Sequence, residues 1–269
     1  MNFIGIIPAR YASSRFPGKP LADLGGKPVI QRVYEQAIRV LDTVIVATDD
    51  QRIYDCVKAF GGEVVMTSPL HTCGTERVNE AYQIYNDKLH NGTLNHQDTV
   101  VVNIQGDEPF IQPEQIQALI DCFPTEIATL VHPFTENDTL EDLQNPNYVK
   151  VAIAPTSPSS QDKFIGRALY FSRSAIPYLR GVAQEDWLKQ GQYYRHIGLY
   201  AYRADILQQI TQLPPSCLEQ LEALEQLRWL ENGMTIRVAL THQVSIGIDT
   251  PEDLQHALQY LSEINLHNS

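Results

Sequence analysis

The 269-residue chain lacks the marks of several large function classes. Its four cysteines, Cys56, Cys73, Cys122 and Cys217, form no C-x-x-C pair. That excludes the common zinc and dithiol motifs and fits buried thiols in a reducing compartment. No stretch approaches the roughly 18 consecutive apolar residues of a membrane span. "MNFIGIIPAR" has no basic leading region and only a short apolar run, so no secretory leader is expected. Cations are few: 20 Lys and Arg stand against 32 Asp and Glu, a formal net charge of -12. This balance speaks against a broad nucleic-acid or anionic-membrane surface, and a cytoplasmic protein is expected. Two phosphate motifs are also missing. There is no G-x-G-x-x-G, the fingerprint a nicotinamide dehydrogenase would carry, and Lys19 is followed by Pro20 where a P-loop needs Ser or Thr.

What is present is an alternation of short apolar runs and helical spacings. "NFIGIIP" (2–8), "TVIVAT" (43–48), "EVVMT" (63–67) and the valine-rich "TVVVNI" (99–104) read as strands. Pro28 suits a helix start, and Ile30, Val33, Ala37, Val40 and Leu41 follow at helical spacing. Further strands are expected at "IATLVHP" (127–133), "YVKVAIA" (148–154), "ALYFSR", "HIGLYAYR" and "TIRVAL". Helices are expected at about 217–231 and from Pro251, and "PTSPSSQDK" (155–163) reads as an exposed loop. The alternation predicts an α/β fold with a mostly parallel central sheet. One domain over 1–269, with a small excursion at about 165–214, is the expected layout.

Against the acidic background one loop stands out. "IIPARYASSRFPGKPL" places Arg10, Arg15 and Lys19 directly after the first strand, with no acid before Asp23. A solvated surface loop could have this composition. The carboxyl end of a sheet strand, however, is where α/β proteins bind ligands, and Arg and Lys suit phosphate oxygens. A polyphosphate usually brings magnesium, which takes one or two carboxylates. Asp107 in "NIQGDEPF" is one candidate, though Gly, Asp and Pro are also ordinary turn residues. Gly106 would allow close backbone approach there. Asp249 is the second, because the helix start at Thr250, Pro251 and Asp253 does not use it. Asp49 and Asp50 are expected to cap the following helix, and Glu219 to lie on a solvated acidic face. Glu225 and Gln226 stay undecided on this ground. A histidine at a strand start, such as His196, is commonly structural, and nothing nearby suggests a nucleophilic triad.

Taken together, these motifs and "HTCGTERVNEA", "NPNYVKV", "YYRHIGLYAYR", "LEALEQLR" and "GIDTPEDL" resemble the 3-deoxy-manno-octulosonate cytidylyltransferases over nearly the whole length, in order. The resemblance implies a Rossmann-like nucleotidyltransferase fold with helices on both sheet faces, and a homodimer formed through the excursion. It implies transfer of CMP from CTP to the acidic sugar 3-deoxy-manno-octulosonate (Kdo), releasing pyrophosphate, for lipopolysaccharide synthesis. Arg10, Ser14, Arg15 and Lys19 would grip the CTP phosphates, with Thr75 and Arg77 at the cytidine pocket. Asp107 and Asp249 would hold Mg2+, and with Lys19 form the catalytic set. Gln105, Arg173, His196, Tyr200, Glu225 and Gln226 resemble the sugar-binding set, with Arg173 the partner of the sugar carboxylate. Cys73 stands where a serine is usual. The readings to be separated from this one are an enzyme using a sialic acid or a sugar 1-phosphate, and a non-catalytic nucleotide sensor.

Overall fold

The computed structural model describes residues 1–13, 15–156, 164–243 and 246–267. In chain order the elements are β1 (Asn2–Ala9), α1 (Val29–Ala37), β2 (Thr43–Thr48), α2 (Gln51–Ala59), β3 (Glu63–Met66), α3 (Gly74–His90), β4 (Thr99–Asn103) and α4 (Pro113–Ile120). There follow β5 (Ile127–Pro133), α5 (Leu140–Gln144), β6 (Lys150–Pro155), β7 (Phe164–Ser172), α6 (Trp187–Gln190), β8 (Tyr194–Arg203) and α7 (Ala204–Ile210). The last are α8 (Cys217–Glu222), α9 (Gln226–Glu231), β9 (Ile236–Leu240) and α10 (Pro251–His267). The chain forms two compact units, residues 1–116 with 245–269, and residues 117–244.

The first unit is a parallel sheet in the order β3-β2-β1-β4. Parallel neighbours need crossovers, and α1, α2 and α3 supply them. Val100, Val101 and Val102 are all fully buried. Successive strand side chains point to opposite faces, so both faces of β4 are covered. Near the carboxyl ends of the strands, Leu24, Val29, Phe110, Ile248 and Ala257 form an apolar cluster with Phe16 packed on it. That cluster draws together the loop after β1, the loop after β4 and the start of α10.

The second unit is mixed. β5 pairs parallel to β9 and antiparallel to β8, β7 pairs antiparallel to β6 and β9, and β6 meets β8 through Lys150 and Arg195. The expected mostly parallel order therefore holds in the first unit and not here, where antiparallel pairs prevail. Strands β7 and β8, predicted within an excursion, are integral members of this sheet. Of the predicted loop 155–163, residues 157–163 lie outside the described residues.

The expected helix at 217–231 is two short helices. Ala223 takes a left-handed conformation, φ 50°, and ends α8. Leu221 is consequently 77% exposed while Leu227 is fully buried, so the leucines do not form one stripe. Glu219 is also corrected: it is not on a solvated face. Its side chain is 14% exposed and pairs with Arg228 of α9 at 2.5 Å. It also accepts the Ser216 backbone N–H at 3.0 Å, completing a capping box. Burial opposes its charge, but the Arg228 and Ser216 hydrogen bonds and the Arg228 charge outweigh that and hold the carboxyl below its ordinary 4.5.

Glu219→Gln should accordingly cost about 1–3 kcal/mol near neutral pH, read from a denaturant midpoint. A carboxyl with a depressed folded pKa stabilises above its unfolded value and loses that contribution as pH falls through the folded one. The difference between native and variant should therefore shrink below pH 4.5.

Candidate active site

The loop after β1 folds back on itself. The Gly18 N–H donates to the Tyr11 carbonyl at 2.9 Å, and Gly18 has φ 74°. A Cβ there would sit 2.9 Å from the Tyr11 ring, so glycine is required on two counts. A short 3-10 turn, Lys19–Leu21, follows at once and buries Pro20. Lys19 is thereby carried inward: its side chain is 15% exposed, whereas Arg15 is 66% exposed.

The Lys19 ammonium joins the two predicted aspartates. It donates to Asp107 Oδ2 and, at 2.9 Å, to Asp249 Oδ1. Arg15 reaches the other oxygen of Asp249 at 3.1 Å. Burial works against the Lys19 charge, but Asp107 and then Asp249 overcome it and raise its pKa above 10.5. The backbone fixes the same juxtaposition, since the Ile248 N–H donates to the Asp107 carbonyl at 2.8 Å. A Cβ on Gly106 would lie 2.7 Å from the Pro8 carbonyl, which shows the close approach expected of that glycine. As expected, the start of α10 leaves the Asp249 side chain aside. Asp253 accepts the Asp249 and Thr250 N–H groups at 3.0 and 2.9 Å, and Thr250 Oγ1 accepts the Asp253 N–H at 3.2 Å.

These groups open on a cavity of about 290 Å³. Arg10, Ser13, Arg15 and Lys19 line one part of it, and Gln105, Asp107 and Asp249 another. Thr72, Cys73 and Gly74 bring the N-terminus of the 17-residue helix α3 to it, the positive end of the helix dipole. Of the predicted nucleotide residues, Ser14 lies outside the described residues. Thr75 is buried, 3% exposed, and is not on the lining. Arg77 does line it, but its guanidinium donates to Asp49 at 2.7 Å and to Thr67 Oγ1 at 2.6 Å. This corrects one expectation: Asp50 caps α2 through the Arg52 N–H, and Asp49 serves Arg77 instead. His71 and Ser13 line the cavity without having been singled out. His71 lies 2.5 Å from Glu80 of α3, nine residues on, a contact made by the loop before α3 that no sequence spacing signals.

The second unit holds five predicted sugar residues, of which His196, Tyr200 and Glu225 interact directly. The His196 ring meets Phe171 and Tyr200 at 5.2 Å each. Its Nε2 lies 3.0 Å from Thr129 Oγ1, a hydroxyl that also reaches the Leu199 carbonyl at 3.0 Å and the Ile197 carbonyl at 3.3 Å. Burial lowers the His196 pKa to about 3, so the ring is neutral. Burial first, then Tyr202 and Glu225, push the Tyr200 phenol well above its ordinary value. Tyr200 packs on Trp229 of α9 at 5.2 Å, and Gln226 is buried on the same helix. Arg173 sits against the α8–α9 break. Its Nε donates to the Glu222 carbonyl at 2.7 Å, Nη1 to Pro146 at 2.9 Å and Nη2 to Ala223 at 3.2 Å. Among the described residues no cluster of three or more His, Cys, Asp or Glu could hold a metal, and no helix is long and apolar enough to cross a membrane.

Residues 4–236 match the family model described as Cytidylyltransferase. The 3-deoxy-manno-octulosonate cytidylyltransferase of Parabacteroides distasonis is 58% identical over 266 residues, covering 97% of this chain and 99% of that protein. The protein of the same name from Aliivibrio fischeri is 45% identical over 266 residues, covering 98% of this chain and 100% of that protein. Among solved structures, CMP:2-keto-3-deoxy-manno-octonic acid synthetase complexed with CTP has a TM-score of 0.81 at 38% identity, over 98% of this chain and 99% of that one. The 4-diphosphocytidyl-2C-methyl-D-erythritol synthase of Anaerococcus prevotii, at 15% identity and a TM-score of 0.58 over 97% and 99%, shares the fold. The chain belongs to the 3-deoxy-manno-octulosonate cytidylyltransferase family.

Proposed function

We propose that this protein joins CMP from CTP to the anomeric hydroxyl of Kdo and releases pyrophosphate, a step of lipopolysaccharide synthesis. Relatives of this name match at full length. The observation that carries the chemistry is the pairing of Asp107 and Asp249 across Lys19, on a cavity edged by Arg10 and Arg15.

The attack forms a bond from the sugar oxygen to the α-phosphorus as the bond to the leaving pyrophosphate breaks and the hydroxyl proton passes to solvent. Both substrates are anions, so bringing them together is the first problem. Arg10 and Arg15 are exposed on the cavity, where their forked donors suit phosphate oxygens. An ammonium has three protons, and Lys19 gives one to each aspartate, leaving one for a phosphate. The positive dipole end of α3 adds to these cations. In this role the cations and helix end spread the charge that develops on the transferring phosphoryl group. Ser14 and Thr75 keep their proposed nucleotide roles. Arg77, held by Asp49 and Thr67, presents a fixed edge to the nucleoside side.

The carboxylate pair fits magnesium, which takes one or two protein carboxylates and completes its shell with substrate phosphates and water. Asp107 and Asp249 would hold it. When bound, the ion would neutralise phosphate charge and lower the pKa of the attacking hydroxyl. Gln105, Arg173, His196, Tyr200, Glu225 and Gln226 are assigned to Kdo. Three of the five Arg173 N–H groups go to carbonyls, leaving two for the sugar carboxylate. The same reading places the protein in the cytoplasm as a homodimer built on the 165–214 segment. In support, Leu169 and Tyr178 in that segment are 50% and 69% exposed.

Pyrophosphate release should require CTP and Kdo together, should fall when a sialic acid or a sugar 1-phosphate replaces Kdo, and should stop on chelation. Release without sugar, or indifference to chelator, would sink the assignment. Asp107→Asn and Asp249→Asn should each lower kcat on the order of 10²–10³-fold while thermal melts show folded protein. Light scattering should give a dimer that Leu169→Glu converts to monomer.

A further inference from the structure

The second unit buries a lysine that no role above uses. Lys150 of β6 is 0% exposed. A desolvated ammonium needs acceptors, and it has two: its Nζ donates to the Asn145 carbonyl at 2.9 Å and to the Arg173 carbonyl at 2.5 Å. Arg173 is gripped on its other sides too. Its backbone N–H donates to Glu222 Oε2 at 2.9 Å, and the Ser172 hydroxyl to Glu222 Oε1 at 2.7 Å. Its guanidinium reaches the carbonyls of Pro146, Glu222 and Ala223. Three short segments, 145–146, 172–173 and 222–223, are thus tied by two cations and one carboxylate. The third segment is the left-handed break at Ala223, and Glu225 and Gln226 open α9 immediately beyond it.

We propose that Lys150 is a positioning residue for sugar recognition: by binding the Asn145 and Arg173 carbonyls together it seats the Arg173 guanidinium against the α8–α9 break and so sets Glu225 and Gln226. The inference rests on the assignment of those three residues to the sugar and adds one that touches no substrate. An aliphatic side chain at 150 would fill the space but take the ammonium from the Arg173 carbonyl and leave the Asn145 carbonyl to the Tyr148 N–H at 3.2 Å. The half-buried guanidinium would then be held by α8 and Pro146 alone, with its own backbone carbonyl released.

The charges around Lys150 are Glu222 on α8 and Arg173 at the end of β7. Arg195, its register partner on β8, lies over the Tyr148 ring at 4.6 Å. Burial is the largest influence on Lys150 and, with Arg173 adding to it and Glu222 opposing, lowers its pKa to about 8. The ammonium is therefore lost as pH rises through about 8, and the neutral amine is the weaker donor.

The test is steady-state kinetics of Lys150→Met, varying CTP and Kdo separately. The expected result is a KM for Kdo raised about tenfold or more, with the KM for CTP and kcat within about threefold of native. The native KM for Kdo should also rise above pH 8 while that of the variant stays flat. An unchanged KM for Kdo in a folded variant would overturn the proposal. So would a joint rise of both KM values, which marks a general structural role. Should Lys150→Met fail to fold, Lys150→Gln, a shorter and uncharged donor, decides by the same measurements: a KM for Kdo raised alone supports the role, and an unchanged KM for Kdo refutes it. If the native protein releases no pyrophosphate from CTP and Kdo, the functional assignment itself falls and takes this inference with it, whereas normal native turnover with an indifferent variant removes only Lys150.

Discussion

The first unit depends on one ammonium. Lys19 binds carboxylates 88 and 230 residues away in the chain. Two aspartates brought side by side repel each other, and the repulsion grows as water is excluded. A shared, half-buried cation removes that obstacle and holds both acids at the cavity before any ligand arrives. It also resolves an apparent contradiction in the composition. A chain with a formal net charge of -12 repels a polyphosphate at long range, but screening confines that repulsion to roughly a Debye length of 10 Å. The cavity is lined by Arg10, Arg15, Lys19 and Arg77 against Asp107 and Asp249, so its cations outnumber its acids and set the local sign.

The ion pairs sit on apolar packing that the same loops provide. Phe16 follows Arg15, Phe110 lies three residues after Asp107, and Ile248 directly precedes Asp249. All three meet in one cluster with Leu24, Val29 and Ala257. The Ile248–Asp107 backbone hydrogen bond then sets the spacing. Burial supplies the driving force for assembling the loops, and each burying residue carries a charged neighbour with it. The polar site is in this sense placed by hydrophobic anchors one to three residues away.

That arrangement explains what could be read in advance. Strands 43–48 and 127–133 have the bounds that β-branched runs suggested, because buried strands need such residues at every position. The lysine–aspartate site was legible because strand-end loops in a parallel sheet gather at one edge, whatever their separation in sequence. Pairing direction in residues 117–244 was not, since a β-branched run looks the same in parallel and antiparallel ladders. Asp49 and Asp50 show a finer limit. Either acid could cap α2 by type. Asp50 has the extended backbone, φ -123° and ψ 126°, that lets its side chain reach the Arg52 N–H, and Asp49 is left for Arg77. Glu219 fails similarly: its acidic row looked solvated only while residues 217–231 were taken as one straight helix.

Arg173 shows why type alone does not define a role. The family resemblance makes Arg173 the partner of a sugar carboxylate. In the folded chain its guanidinium spans three carbonyls on two segments, Pro146 on one side and Glu222 and Ala223 on the other. Only a planar cation with five fixed donors can do this and still have donors to spare; a lysine has three, on one atom. The carbonyls it takes at the end of α8 are among those a helix end leaves unpaired. Because Ala223 is left-handed, they have no continuing helix to turn to. The break that splits the predicted helix and the clamp that holds Arg173 are therefore one feature. The conformational strain at Ala223 persists because the guanidinium makes the interrupted helix end a satisfied one, and the fixed donors that remain are the ones available to a carboxylate.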